Sequence, residues 1–284
     1  MEKAREFVLK IFKYLKRPEM RILPGQLAFF LVITIIPITA LMIGICAMLS
    51  ISTENIRIAI NQSIPPVLAN ILNSVIIGDG INFNMIIFYV SALLLASNGI
   101  YSMINISNEI YKVKPKAMVK RRSKAIIMTF IVVCLLFFLL LVPVFGKTIS
   151  EIILQVTGSN KIILVLHEFL SILKYPIILG ILYFSFKIIY VIAPDEEIPS
   201  YTTRQGAFFA SVGWILATEL FAFYLEKFAK YDLFYGSISN ILVLLLWVYI
   251  LSYIFVLGMI INASSYKEEI KPVEKIVKEL NKEE

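Results

Sequence analysis

Six long segments of this chain are almost free of charged residues, and no other feature constrains its fold as strongly. A helix needs roughly 18 or more apolar residues, at about 1.5 Å per residue, to cross a hydrocarbon core of about 30 Å. The chain is 59% hydrophobic and 17% charged, whereas soluble domains are about 25% charged. The sequence therefore predicts an all-α polytopic membrane protein with six transmembrane helices. We place these spans near 26–50, 83–103, 125–146, 175–193, 207–228 and 238–261.

Lysine and arginine are divided unequally between the two sides that these spans define. One side carries 20 of them, in the N-terminal arm, the second loop, Arg204 and the tail, and the other side carries six. Cytoplasmic loops keep the excess of positive charge, so both termini are predicted to be cytoplasmic. The net charge of +7 then follows from topology and from attraction to anionic lipid. A nucleic-acid partner is disfavoured because the basic stretch KAMVKRRSK has no interleaved aromatic residues.

Basic amphipathic arms flank the transmembrane domain, which we assign to residues 25–263. The N-terminal arm, residues 1–24, contains AREFVLKIFKYLK, with apolar residues on one helical face and lysines on the other. The tail, residues 264–284, repeats this design. Both patterns are typical of helices that lie in the headgroup layer.

The two longer outer loops are semi-apolar. Residues 53–77 are interrupted by the dipeptide PP at 65, and residues 148–173 contain the tripeptide GSN at 158. Each loop is predicted to form two short amphipathic helices on the external surface. A re-entrant hairpin is the alternative for each loop.

A polar stripe runs along the second span. The stretch SNGIYSMINISNEIYK, residues 97–112, continues the preceding apolar helix without a Gly-Pro break. Its polar residues recur at steps of three and four and therefore share one helical face, while isoleucines and Met103 cover much of the rest. Such a stripe requires a wet or polar neighbour. Its members are Asn98, Tyr101, Ser102, Asn105, Asn108 and Glu109.

Two ionisable residues, Lys187 and Glu219, lie well inside predicted spans. A charge at mid-bilayer costs roughly 2.5 to 3.5 kcal/mol on insertion scales, so each should face protein or water and have a partner. The two side chains could meet if the fourth and fifth spans touch. The alternatives are that Lys187 extends to the cytoplasmic interface and that Glu219 makes a purely structural hydrogen bond.

The polar stripe and Lys187 lie at a similar depth, counted by helical rise. This coincidence suggests a cavity that is open to the cytoplasm and narrows toward Glu219. In the alternative interpretation the asparagines and serines hydrogen-bond across a dry helix bundle, at about 0.6 kcal/mol each. The candidate binding residues are Asn98, Ser102, Asn105, Glu109, Lys187, Glu219, Gln26, Tyr183 and Tyr190.

The remaining polar residues give little sign of enzymatic chemistry. Metal-dependent nucleases need clustered histidine and carboxylate ligands, and the single histidine, His167, falls in a predicted outer loop. No GxxxxGK[ST] or GxGxxG motif occurs. The acidic loop APDEEIPSYTTRQGA is predicted to be a solvated turn in which Asp195 and its neighbours pair locally with Arg204. We predict no cofactor, no metal and no catalytic activity.

Four stretches of the chain resemble the YihY/BrkB family of bacterial inner-membrane proteins. They are GQLAFFLVITIIPITALM, SNGIYSMINISNEIYKV, YVIAPDEEIPSYTTRQGAFFASVGWILATELFAFYLEKFAKY and YGSISNILVLLLWVYILSYIFVLGMIINA. The resemblance covers most of residues 25–263 and implies six transmembrane helices with cytoplasmic ends in a bacterial inner membrane. It implies no settled biochemical activity, although an old label for the family is ribonuclease BN.

We hypothesise a transporter that is not driven by ATP, or a lipid-translocating protein, with an anionic or zwitterionic ligand. Lys187 is the only cation at that depth in the predicted spans, and the asparagines add neutral donors and acceptors. Amphipathic arms fit contact with membrane lipids as partners. The alternative is a non-transporting scaffold that organises envelope proteins through the basic arm and tail. Whether the protein forms a homo-oligomer stays open.

Overall fold

The computed structural model describes residues 2–48, 83–157, 160–227 and 239–269. These residues form helices and contain no strand, which confirms the predicted all-α class for this part of the chain. The helices are α1 (Glu2–Leu15), α2 (Glu19–Met48), α3 (Phe83–Tyr111), α4 (Met118–Thr157), α5 (Asn160–Ile192), α6 (Arg204–Lys227) and α7 (Ser239–Glu269).

Four helices in the described part of the chain are long and apolar enough to cross a membrane. α5 contributes a shorter apolar stretch, Pro176–Ile192, and the predicted span near 125–146 lies within α4. The multi-pass membrane character is thereby supported, whereas the count of six spans stays a prediction. The four candidate spans are Glu19–Met42, Tyr89–Tyr111, Arg204–Leu225 and Ile241–Lys267.

The predicted short helices of the second outer loop are not separate elements. α4 continues to Thr157 and α5 begins at Asn160, so the helical residues of this loop extend the two long helices. The physical reason is that neither proline nor glycine interrupts 147–157 or 161–173. The other outer loop, 53–77, lies outside the described residues, as does the tail beyond Glu269.

The six long helices in the described part of the chain, α2 to α7, form a closed ring. Each helix from α2 to α6 packs against the next one along the chain, and α7 packs against both α6 and α2. α3 and α7 also contact each other. α1 packs against α7, where Arg17, in the turn after α1, donates a hydrogen bond from Nη2 to Oγ of Ser264 (3.3 Å).

Aromatic and aliphatic side chains fill the core of the ring. The ring of Phe186 lies 4.8 Å from that of Trp214 and 5.6 Å from that of Phe255. Tyr190 is fully buried beside them and donates its hydroxyl to the backbone oxygen of Phe255 (2.8 Å). This packing joins α5, α6 and α7.

Two glycines allow α6 and α7 to approach closely. A Cβ atom added to Gly206 would collide with the backbone oxygen of Gly258, and one added to Gly258 would lie 2.7 Å from the hydroxyl of Tyr190. The N–H of Gly206 donates to Oδ1 of Asn262 (2.7 Å). This bond satisfies a backbone donor that the first turn of a helix leaves without an intrahelical partner. Small residues serve such close contacts between membrane helices.

Candidate functional site

The C-terminal half of α3 has an apolar face and a polar face. Ile100, Ile104 and Ile106 are buried in the main apolar core, whereas Asn98 and Asn105 are half-buried. The apolar face therefore packs into the ring. The polar stripe faces a different neighbour, the beginning of α4.

Two arginines from the start of α4 contact the stripe. Arg121 donates from Nη1 to Oδ1 of Asn105 (2.6 Å), and Arg122 donates from Nη1 to Oδ1 of Asn98 (2.7 Å). Each guanidinium also donates to a backbone oxygen, Arg121 to Lys116 (3.0 Å) and Arg122 to Leu94 (2.9 Å). The polar neighbour that the stripe requires is thus a pair of cations held by neutral oxygens.

A left-handed residue at the end of α3 turns the chain back toward this stripe. Lys112 has φ 58°. Its N–H donates to the oxygen of Glu109 (3.3 Å), and the N–H of Val113 donates to the oxygen of Asn108 (2.9 Å). These two bonds form a Schellman cap, which commonly carries glycine at the left-handed position. Here lysine occupies that position, so the sequence gives no glycine signal for the reversal.

Asp195 connects α3, α4 and the loop between them. The carboxylate accepts hydrogen bonds from Nδ2 of Asn108 (2.8 Å), the N–H of Lys116 (3.1 Å) and Nζ of Lys124 (3.2 Å). The N–H of Asp195 donates in turn to Oδ1 of Asn108 (2.8 Å). The predicted solvated turn with Arg204 is therefore wrong for Asp195, which is 4% exposed. Partners distant in sequence supply both the hydrogen bonds and the countercharge.

Lys124 also holds the C-terminal end of α5. Its Nζ donates to the backbone oxygens of Ala193 (2.9 Å) and Pro194 (2.6 Å), directly after the last residue of the helix. A cation at this end offsets the negative pole of the helix dipole. Lys124 and Asp195 together tie α3, α4 and α5 at one end of the bundle.

The two charges influence each other's protonation. Burial by itself raises the pKa of Asp195, but the hydrogen bonds from Lys116, Asn108 and Lys124 together outweigh burial and lower the pKa below its ordinary value. Burial lowers the pKa of Lys124, and the contact with Asp195 opposes that shift. The carboxylate is therefore ionised at neutral pH.

The other predicted binding residues are spread over several environments. Lys187 and Tyr183 are half-buried on α5, and Tyr190 is completely buried there. Contact between Lys187 and Glu219 requires that the fourth and fifth spans touch, and α5 and α6 do pack against each other. The contact between the two side chains stays a prediction. Ser102 is buried, and its hydroxyl is without a hydrogen-bond partner among the described residues. Gln26, Glu109 and Glu219 are exposed.

Sequence reasoning overlooked the residues that complete this site. Arg121, Arg122 and Lys124 contributed to the topology argument only as loop charges, and Asp195 was assigned to a solvated turn. One signal could have identified them. Four cations, Lys120, Arg121, Arg122 and Lys124, begin the helix that follows a short loop after the polar stripe, so a tight reversal would bring that basic segment against the stripe.

The described residues hold no group of three or more histidine, cysteine, aspartate or glutamate side chains that could ligate a metal ion. The polar atoms that meet at this end of the bundle are amide oxygens, backbone carbonyls, one buried carboxylate and basic groups. Chemically, such a site is suited to holding an anion and to fixing helix positions.

Comparison with known proteins agrees with the membrane architecture. A model of the family described as Virulence factor BrkB matches residues 11–280. A ribonuclease-like protein named YfkH from Bacillus subtilis is 30% identical over 276 residues, which cover 94% of this chain and 98% of that protein. The UPF0761 membrane protein NT05HA_1801 of Aggregatibacter aphrophilus is 35% identical over 75 residues, covering 26% of this chain and 27% of that protein.

A UPF0761 membrane protein of Glaesserella parasuis is 24% identical over 178 residues, covering 61% of this chain and 58% of that protein. No solved structure matches the chain. The words "ribonuclease-like" belong to the name of one relative and are no sign of enzymatic activity here. The extent of the family match and the apolar helices lead to one assignment: this chain belongs to the Virulence factor BrkB family of membrane proteins.

Proposed function

We propose that the protein is a transporter that is not driven by ATP, or a lipid-translocating protein, in a bacterial inner membrane with both termini in the cytoplasm. Its ligand is anionic or zwitterionic and reaches the polar face of α3 from the cytoplasmic side. The protein performs no chemistry on this ligand.

The observation that supports this proposal is the uncompensated charge of Arg121 and Arg122. Among the described residues, the hydrogen bonds of both guanidiniums go to amide or backbone oxygens and none goes to a carboxylate. Arg122 is held against Asn98, inside the predicted second span, where a charge is costly without a countercharge or water. An anionic group of a ligand supplies such a countercharge, and arginine forms bidentate hydrogen bonds with carboxylate and phosphate.

The remaining binding residues are assigned roles by their chemistry. Asn98, Asn105 and Ser102 offer neutral hydrogen-bonding groups along the path, and the Ser102 hydroxyl is without a protein partner in the described part of the chain. Lys187 provides a further cation on α5, and Glu219 is the acidic group beyond it. In this proposal the contact between Asp195 and Lys124 fixes the cytoplasmic end of the path.

Thiol accessibility tests the path. In a cysteine-free background, Asn98→Cys and Asn105→Cys, at half-buried positions of the stripe, should react with a small charged thiol reagent applied from the cytoplasmic side, whereas Ile100→Cys, on the buried apolar face, should not. Equal inertness at all three positions would favour a dry bundle and contradict the proposal. Thiols introduced at 61 and 160 should react from outside while those at 117 and 275 do not, and reaction at 117 would reverse the orientation.

Translocation is measured in proteoliposomes with phospholipids that carry a fluorescent headgroup or acyl label. Wild-type protein should accelerate movement between leaflets, and Lys187→Met should slow it. A protein that is correctly folded but moves neither anionic nor zwitterionic lipid, and that leaks no small anion, would favour the scaffold alternative.

A further inference from the structure

We propose that Arg121 and Arg122 bind the headgroup phosphate of an anionic phospholipid from the cytoplasmic leaflet. The inference gives a chemical class to the ligand of the proposed function and rests on it for the ligand's role. Binding itself is measured independently of transport.

The first step is the environment of Arg122. Leu94, whose backbone oxygen accepts from this guanidinium, is an exposed apolar residue, as is Leu95. On α4, Met118 and Val119 precede Arg122 by four and three residues and share its face, and they are 71% and 77% exposed. The guanidinium therefore lies at a border between charged groups and uncovered apolar side chains. This arrangement fits the boundary between lipid headgroups and acyl chains.

The second step is depth. Asn98, which holds Arg122, lies five residues before the predicted end of the second span at 103, or about 8 Å along the helix. At such a depth a soluble anion reaches the arginine only through an aqueous path. A lipid phosphate reaches it by a local displacement of the headgroup, and the acyl chains of the same molecule cover the apolar neighbours.

The third step is the local electrostatic potential. The first turn of α4 contains no acidic residue, and the positive pole of the helix dipole lies at this end. Lys120, Arg121, Arg122 and Lys124 follow within the first two turns, and of these Lys124 is neutralised by Asp195. Arg121 is held over the ring of Tyr101, with its Cζ 5.4 Å from the ring centroid. Its orientation is thus fixed before a ligand arrives.

The zwitterionic alternative differs in net charge. A phosphatidylcholine headgroup carries a trimethylammonium group that the basic loop repels, whereas phosphatidylglycerol presents a phosphate with no compensating cation. Charge complementarity therefore favours the anionic lipid.

The test measures lipid binding to the purified full-length protein in detergent by native mass spectrometry. Phosphatidylglycerol and phosphatidylcholine with identical acyl chains are the probes. Wild-type protein should prefer phosphatidylglycerol by about tenfold, the size expected for one charge-assisted contact. Arg121→Gln combined with Arg122→Gln should reduce this preference to about twofold or less. The matched control, Lys114→Gln with Lys116→Gln, removes two exposed charges from the loop before α4 and should keep the preference.

A second variant keeps the test decisive if the double arginine variant does not fold. Asn98→Asp has nearly the same shape and places a carboxylate on Arg122, so the protein folds while the internal carboxylate replaces the lipid phosphate. Its preference for phosphatidylglycerol should fall severalfold. An unchanged preference in this variant, or an equal loss in the lysine control, would overturn the site.

The outcomes separate the two proposals. Selective binding of phosphatidylglycerol without any translocation would support the lipid site and contradict transport. Translocation of labelled lipid without selective binding at the arginines would support transport and contradict the lipid site. Displacement of phosphatidylglycerol by an equal concentration of inorganic phosphate would show that the site recognises a soluble anion and would contradict the lipid assignment.

Discussion

Removing the carboxylate of Asp195 should destabilise the folded protein substantially. Asp195→Ala deletes the acceptor for Lys124, Asn108 and the backbone N–H of Lys116. Hydrogen bonds to charged groups contribute about 1.5 to 3 kcal/mol each, and breaking a buried ion pair from one side costs about 3 to 5 kcal/mol.

For Asp195→Ala, the lower end of the range of about 3 to 5 kcal/mol applies. The Lys124 side chain is 23% exposed and keeps the two backbone oxygens of Ala193 and Pro194 as acceptors. Lys116 is exposed, so in Asp195→Ala water can accept the hydrogen bond that its N–H donates to the carboxylate in wild type. We therefore expect Asp195→Ala to lower the free energy of unfolding by about 3 kcal/mol. Lys124→Met leaves a carboxylate that is 1% exposed with two N–H donors but no countercharge, and should also cost about 3 kcal/mol.

A double-mutant cycle in detergent measures the coupling. Unfolding is followed by the fluorescence of Trp214 and Trp247, with Asp195→Ala and Lys124→Met made singly and together. The double variant should be more stable than the sum of the single losses implies, by about 1 to 2 kcal/mol. The control, Glu197→Ala, removes an exposed carboxylate from the same loop and should change stability by less than about 0.5 kcal/mol.

Two results would refute this reasoning. Additivity of Asp195→Ala and Lys124→Met within about 0.5 kcal/mol would show that the side chains do not interact. A loss no larger for Asp195→Ala than for Glu197→Ala would return Asp195 to the solvated turn that the sequence predicted.

Three further predictions concern stability in detergent. The pKa of Asp195 is lowered in the folded state, so its ionised carboxylate stabilises the fold above the unfolded pKa of about 3.9, and this stabilisation is lost as pH falls through the folded pKa. The melting temperature should therefore fall more steeply below about pH 4 in wild type than in Asp195→Asn. Parallel curves of melting temperature against pH would contradict this prediction. Gly206→Ala should lower the free energy of unfolding by about 1 to 3 kcal/mol or more, or prevent folding, because the added Cβ collides with the backbone oxygen of Gly258. The control is Gly180→Ala, which should be neutral or slightly stabilising because no atom lies within 4 Å of the added Cβ. Lys112→Val adds a β-branch in the left-handed region, beyond the Cβ that lysine already places there, and should cost up to about 1 kcal/mol; an unchanged melting curve would show that the cap tolerates it.

The sequence predicted those parts of the fold that depend on composition and helical period. The four candidate spans overlap predicted apolar segments, with bounds that differ by several residues, and the buried isoleucines of α3 lie on the face that periodicity assigned to the apolar side. Both features are local, because a run of apolar residues or a step of three and four is visible within one helix.

The candidate site depended on features that are not local. The contact between Asn108 and Asp195 joins residues 87 positions apart, and no pattern in either segment specifies the other. The reversal after α3 relies on Lys112 in a conformation that glycine usually signals. Arg121 and Arg122, which the sequence analysis counted only as cytoplasmic loop charges, are therefore also the hydrogen-bond partners of Asn105 and Asn98. Only the folded structure shows these contacts.

The closed ring sets an order of events during biosynthesis. α2 and α7 are neighbours in the ring, yet about 190 residues separate the end of α2 from the start of α7. At synthesis rates of about 5 to 20 residues per second, α2 waits roughly 10 to 40 s for this partner. During that interval its surface for α7 must be covered by lipid or by an insertion factor. A stalled or truncated chain that lacks α7 should therefore be recognised as incomplete by membrane proteases even though every earlier helix is already inserted.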